Sequence, residues 1–166
     1  LEALQHAALG QEESAASEWL GKLGLDKARR LGASLQVDAG WEAAVETVLA
    51  GLLDGVLVDD PVALAAEFSD LGEADIALLR AENGEPGAAG TLAARVRGPV
   101  AALQLLARVQ TAETLDEARH RIGSLEAGQS IITRGGEWLA SHWARVRRAQ
   151  GNQVGVLARE RELRSL

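Results

Sequence analysis

Apolar positions along the chain switch repeatedly between helical and strand spacing, and the switches predict alternating helices and strands. Trp41, Val45, Val48, Leu49 and Leu52 fall on one face of a helix over 40–53, which Gly55 stops. GVLVD follows at once as a short apolar, β-branched run and predicts a buried strand. Pro61 then stands in the first turn of a helix, PVALAAEF, with Asp59 or Asp60 at its N-cap, and DIALL over 75–79 is a further strand. Upstream, 17–31 reads as a short helix broken at Gly21 and Gly24, with Asp26 capping KARRL, and SLQV over 34–37 reads as a strand. Downstream, SIIT (130–133), GEWLA (136–140) and HWARVRR (142–148) read as strands turning on Gly135 and Gly136. The order is that of a mixed α/β fold.

A pattern at an offset of 53 runs through it. Leu52, Leu53, Val56, Val62 and Ala65 align with Leu105, Leu106, Val109, Leu115 and Ala118, so LLDGVLVDDPVALAA and LLARVQTAETLDEAR share a strand-then-helix order. The densest turn cluster, NGEPGAAG over 83–90, lies between them and is the natural internal boundary. At the ends, Leu1, Leu4 and Ala8, and again Val156, Leu163 and Leu166, fall at heptad spacing. Both termini therefore read as helical, either as stubs of a coiled coil or as amphipathic helices packed on the body.

Charge sharpens the boundary. Residues 1–86 carry 5 Lys/Arg against 17 Asp/Glu, and residues 87–166 carry 12 Arg against 7 Asp/Glu, so a chain of net −7 divides into −12 and +5. Arginine's fork suits phosphate and carboxylate alike, so the cluster Arg145, Arg147, Arg148, Arg159, Arg161 and Arg164 fits a solvated face, an acid–base contact or a phosphate-binding surface. The composition is otherwise that of a globular protein, 47% hydrophobic and 25% charged, and no apolar run reaches the ~18 residues of a membrane span. With no cysteine there is no disulfide framework, thiolate metal site or cysteine nucleophile. The chain opens on Leu1 and contains no methionine, which reads as a segment of a longer protein.

Catalytic signatures are missing. No phosphate-binding G-x-x-x-x-G-K-[ST], no G-x-G-x-x-G after a strand and no G-x-S-x-G elbow occurs. His6, His120 and His142 form no metal signature, and Asp54, Asp59 and Asp60 lack the ligand spacing of a calcium loop, which leaves them to helix capping. Trp19, Trp41, Trp138 and Trp143 read as core or interface anchors, with base stacking the alternative. Gly135, Gly136, Gly151 and Gly155 flank the arginine-rich strand and the start of the last helix, fitting either tight turns or strand edges that approach another chain.

GWEAAVETVLAGLLDGVLVDDPVALA, the later GQSIITRGGEWLASHWARVRR and the helical exit GVLARERELRSL together resemble the hinge domain of bacterial SMC proteins, the structural maintenance of chromosomes ATPases. The resemblance covers about residues 20–155. It implies a mixed α/β fold of two similar subdomains flanked by coiled-coil stubs: an entering stub over 1–19, subdomains over 20–86 and 87–150, and an exiting helix over 151–166. It implies a homodimerising module without enzymatic activity or cofactor of its own, ATP and magnesium belonging to distant head domains. It further implies a cytoplasmic, nucleoid-associated protein with no membrane contact and weak DNA binding near the coiled-coil junction, through Arg145, Arg147, Arg148, Arg159 and Arg161. The dimer contact it implies pairs the edge Ala74, Asp75, Ile76, Ala77, Leu78 and Leu79 with Trp143, Ala144, Arg145, Val146 and Arg147 of the other copy, alongside Gly135, Gly136, Gly151 and Gly155. Where the family commonly carries paired glycines before the exit helix, this chain reads GNQVG.

Two other readings fit the residues. One is a diverged small-molecule- or nucleotide-binding α/β enzyme domain. The other is a monomeric protein-docking insert in a coiled coil. Oligomeric state separates them from a dimerising hinge.

Overall fold

The computed structural model describes residues 15–147. Two lobes repeat one plan. In the first, the chain passes from a helix over 15–22 (α1) through a 3-10 turn at Gly32–Ser34 to β1 (Gln36–Val37), α2 (Glu42–Val48), β2 (Val56–Val58), α3 (Pro61–Leu64) and β3 (Leu78–Arg80). In the second, a 3-10 turn at Leu92–Arg95 leads to β4 (Val96–Arg97), α4 (Val100–Leu106), β5 (Val109–Ala112), α5 (Leu115–Arg121) and β6 (Ser130–Thr133). Each lobe thus runs strand, helix, strand, helix, strand, and in each the last two strands pair in parallel, β2 with β3 and β5 with β6. Parallel pairing needs a crossover, and α3 and α5 supply it.

The correspondence extends to the flanks. Beside β2 the Leu57 N–H donates to the Arg29 carbonyl, and beside β5 the Thr111 N–H donates to the Gly90 carbonyl. Equivalent strands β1 and β4 pair antiparallel with each other, Gln36 opposite Arg97 and Val37 opposite Val96, as two halves related by a local twofold would. The offset-53 pattern therefore marks a structural duplication. Among the described residues only the second lobe carries an extra hairpin, β7 (Glu137–Ala140) and β8 (Trp143–Val146), which completes a sheet of order β5-β6-β7-β8.

One core joins the lobes. It includes Leu31, Trp41, Val45, Leu49, Leu57 and Leu79 from the first, and Leu92, Val96, Leu103, Leu106, Val109 and Ile132 from the second. Two smaller clusters lie outside it, Trp19, Leu20, Val56 and Val58 in the first lobe and Ala112, Ala118 and Ile131 in the second. β2 is buried on both faces because Leu57 faces the shared core while Val56 and Val58 face the outer cluster. That explains its uninterrupted apolar sequence.

Several elements differ from their sequence-based expectation. The helix expected over 17–31 ends at residue 22, and Asp26 caps nothing, because Arg30 is drawn into an antiparallel bridge with Val56 of β2, flanked by bonds from the Leu57 N–H to the Arg29 carbonyl and from the Leu31 N–H to the Gly55 carbonyl. The α2 helix ends at Val48 and gives way to turns. In PVALAAEF only Pro61–Leu64 is α-helical, and Ala65–Asp70 tightens to 3-10. DIALL is extended, with Ile76 and Leu78 on the outer cluster and Ala77 and Leu79 on the shared core, but its ladder covers only Leu78–Arg80 because β2 is three residues long. The terminal helices lie outside the described residues.

Capping follows side-chain chemistry. Asp60, not Asp59, caps α3, its Oδ1 accepting from the Ala63 N–H at 3.1 Å. Thr114 caps α5 by accepting from the Glu117 N–H at 3.1 Å, while the Glu117 carboxylate reaches back to the Glu113 N–H at 2.9 Å. Thr114→Ala is expected to destabilise the protein by about 1 kcal/mol in thermal melts, and Thr114→Ser by much less.

Candidate interaction surfaces

β8 forms one edge of its sheet, all four of its residues are exposed, and Trp143 and Val146 retain 46% and 48% of their surface. Soluble proteins seldom leave such an edge bare, since its unpaired N–H and C=O groups template further strands. β3 is the outer edge of the two-stranded sheet. Its counterpart by duplication, β6, is covered there by antiparallel β7, with Ile131 opposite Leu139 and Ile132 opposite Trp138. The first lobe has no such hairpin among the described residues. β3 and β8 are thus two edge strands, each paired on one side, by β2 and β7, and with no strand on its outer side among the described residues.

Charges on the two edges differ in sign. Around β3 stand the exposed carboxylates Glu73, Asp75 and Glu82, with Arg80 set 3.7 Å from Glu82, while β8 and the residue after it carry the exposed Arg145 and Arg147. Trp143 and Arg145 project from the face that also carries Trp138 and Ala140, the residues opposite Arg145 and Trp143. On that face Trp143 meets Trp138 edge-on with centroids 4.9 Å apart, and both line a largely apolar cleft of about 560 Å³ with Val48, Leu52 and Leu105. The outward position of Leu105 was not legible from the sequence, where it counted only as an apolar match in the repeat.

The expected site residues scatter in role. Ala74 and Asp75 precede the β3 ladder, Ile76 and Ala77 are half-buried, and Leu79 is buried, so its side chain serves the core while its backbone lies on the edge. Gly135 and Gly136 form the β6–β7 turn, with the Gly136 N–H donating to the Thr133 carbonyl at 3.1 Å. Gly136 has φ of 86°, and a Cβ there would sit 2.9 Å from Thr47 Oγ1 on α2, so a left-handed turn against that helix explains its glycine. Arg145 and Arg147 stand together on the surface; Arg148, Gly151, Gly155, Arg159 and Arg161 lie outside the described residues.

A second charged group lies at the lobe seam. The Arg134 guanidinium sits 4.7 Å from the Trp41 ring centre and binds the Glu113 carboxylate through Nε at 2.6 Å and Nη2 at 3.2 Å. Arg95 lies 5.4 Å from the same ring and 3.7 Å from Asp38. Hydrogen bonding from Arg134 holds the Glu113 carboxyl below its ordinary range and raises the Arg134 guanidinium in turn. A depressed folded-state carboxylate contributes stability above its unfolded pKa and loses it as pH falls through the folded value. The gap in melting temperature between the parent and Glu113→Gln is therefore expected to be small, since the pair is exposed, and to close below about pH 4. A gap that persists or widens in acid contradicts this.

Residues 27–122, more than half the chain, match the family model described as SMC proteins Flexible Hinge Domain. A protein named Chromosome partition protein Smc from Xanthomonas oryzae pv. oryzae is 48% identical over 157 residues, which cover 94% of this chain and 14% of that protein. One of the same name from Coxiella burnetii is 41% identical over 170 residues, covering 100% of this chain and 14% of that protein. The chain therefore spans about one-seventh of the length of these relatives. Among solved structures, an asymmetric dimer of the Geobacillus stearothermophilus SMC hinge domain superposes with a TM-score of 0.58 at 19% identity, over 99% of this chain and 84% of that one. The Pyrococcus furiosus Smc hinge domain with an extended coiled coil gives 0.56 at 17% identity, over 99% and 68%. At those identities the superpositions show the shared fold.

Proposed function

The chain belongs to the flexible hinge family of SMC proteins, and from that premise we propose that it joins two copies of itself, β3 of each copy pairing with β8 of the other. The carrying observation is the pair of uncovered edges. Duplication supplies the reason they belong together: the side of β6 that β7 covers in the second lobe is open on β3 in the first. A partner's β8 fills that place, twice in a twofold dimer, and brings Arg145 and Arg147 toward Glu73, Asp75 and Glu82. The solved Geobacillus relative is itself a hinge dimer. Sedimentation at low micromolar concentration is expected to give twice the chain mass of 17.5 kDa, and a single-chain mass overturns the reading.

In this reading the module performs no chemistry and carries no cofactor. It links the arms of a cytoplasmic, nucleoid-associated chromosome-partition ATPase whose nucleotide sites lie in other parts of the protein. Strand pairing uses the backbone edge and leaves side chains standing off the two faces, so Arg145 and Arg147 also remain able to meet DNA phosphates, together with Arg148, Arg159 and Arg161. Changing Arg145, Arg147 and Arg148 together to Gln is expected to weaken DNA binding about tenfold or more in low-salt shift assays. The log–log salt slope falls by about 2–3. Unchanged affinity in a variant that still sediments as a dimer removes DNA from the proposal.

A further inference from the structure

The geometry points to an oxyanion site at the seam between the lobes, in a cleft of about 390 Å³ where Arg29, Ser34, Gln36, Asn83 and Arg97 converge. Its ligand class is a phosphate group, whether free phosphate or a phosphate carried on a nucleic acid. The five residues come from three stretches of the chain: Arg29 to Gln36 in the first lobe, Asn83 in the connection, and Arg97 on β4. All of them offer N–H or O–H donors, and no carboxylate lines the cleft. Two guanidiniums with two carboxamides and a hydroxyl suit an oxyanion, which accepts several charge-assisted hydrogen bonds at once.

Two details separate this cleft from ordinary polar surface. Ser34 lines the cleft, yet its Oγ is buried with no hydrogen-bond partner, a rarity that a turn of the side chain onto a bound oxygen would remedy. Arg29 belongs to none of the ion pairs among the described residues, and Arg97 has only a loose one, 3.9 Å to Asp38, whose other oxygen lies 3.7 Å from Arg95. Arg29 is thus free to turn toward a ligand, and Arg97 would give up only its 3.9 Å contact with Asp38. A phosphate held there would touch both lobes and the connection between them and so brace their arrangement. The site uses neither β3 nor β8 and stands independently of the dimer reading.

The test titrates the full chain with sodium phosphate, against sodium chloride at matched ionic strength, and with a short oligonucleotide, by calorimetry and thermal shift. Phosphate is expected to raise the melting temperature saturably beyond chloride, with one site per chain. Arg29→Gln with Arg97→Gln is expected to weaken that binding about tenfold or more. Arg145→Gln with Arg147→Gln leaves it intact. If free phosphate does no more than chloride while the Arg29 and Arg97 double variant still loses about tenfold in oligonucleotide affinity, the site stands with nucleic acid as its source. Ser34→Ala, which removes one buried atom, gives a smaller loss in the same direction and replaces the double variant should that fail to fold. Phosphate behaving as chloride, together with unchanged oligonucleotide binding in the variants, overturns the site.

Discussion

Replacing Ala144 by proline converts the dimer into a folded monomer. β7 and β8 are joined by the two-residue turn at 141–142, and such a turn closes on a hydrogen-bonded pair, here Ala140 with Trp143. Bonding pairs alternate along an antiparallel ladder, so Trp138 and Arg145 form the next, and Ala144 and Val146 turn their N–H groups outward. Proline at 144 removes one outward donor and places its ring on the edge, while the bonds to β7 survive. The loss occurs twice in a twofold contact. At about 1 kcal/mol per lost bond, with steric exclusion added, the dissociation constant rises about a hundredfold or more. Ala144→Val, which keeps the N–H and favours strand, leaves the dimer intact. Sedimentation with circular dichroism reads both; an intact Ala144→Pro dimer at low micromolar concentration takes β8 out of the contact.

Trp41→Ala destabilises the protein by about 3–5 kcal/mol. The ring is 1% exposed at the centre of the core that joins the lobes. Arg95 and Arg134 lie against it, so truncation also removes two cation–π contacts, each of order 0.5–1 kcal/mol. Trp41→Phe is far milder, about 1–2 kcal/mol, because the indole Nε1 is buried without a hydrogen-bond partner and its removal forfeits no bond. Denaturant unfolding at fixed protein concentration separates the two, which matters because dimerisation itself shifts apparent stability. A loss below about 1 kcal/mol for Trp41→Ala contradicts a single core shared by both lobes.

Much of this architecture was legible because its signals are local. Trp41, Val45 and Leu49 recur at helical spacing, Val56, Leu57 and Val58 are all apolar because β2 is covered on both faces, and Asp60 sits where a helix cap belongs. The duplication was visible as apolar matches at an offset of 53, and the structure extends it to the flanking stretches and to the β1–β4 pair. What escaped the sequence depends on distant partners. Arg29–Leu31 abandons a helix because β2 needs a neighbour, and no local pattern announces that. The limits of β3 are set by the length of β2. The edges themselves were readable as strands, whereas their lack of a covering strand, and the meeting of Arg29, Asn83 and Arg97 in one cleft, exist only in three dimensions.

Cysteine cross-linking between two differently substituted chains tests the β3–β8 contact most directly, and the absence of native cysteine makes it clean. Residues facing one another on adjacent strands have Cα atoms about 4.5–5.5 Å apart, within disulfide range. Chains carrying Arg80→Cys are mixed with chains carrying Ala144→Cys, Arg145→Cys or Val146→Cys in turn, which scans the register across three positions. The account predicts a cross-linked heterodimer under mild oxidation for at least one pairing, and far less product when each chain is oxidised alone. A sample that sediments as a dimer yet cross-links in none of the pairings contradicts it.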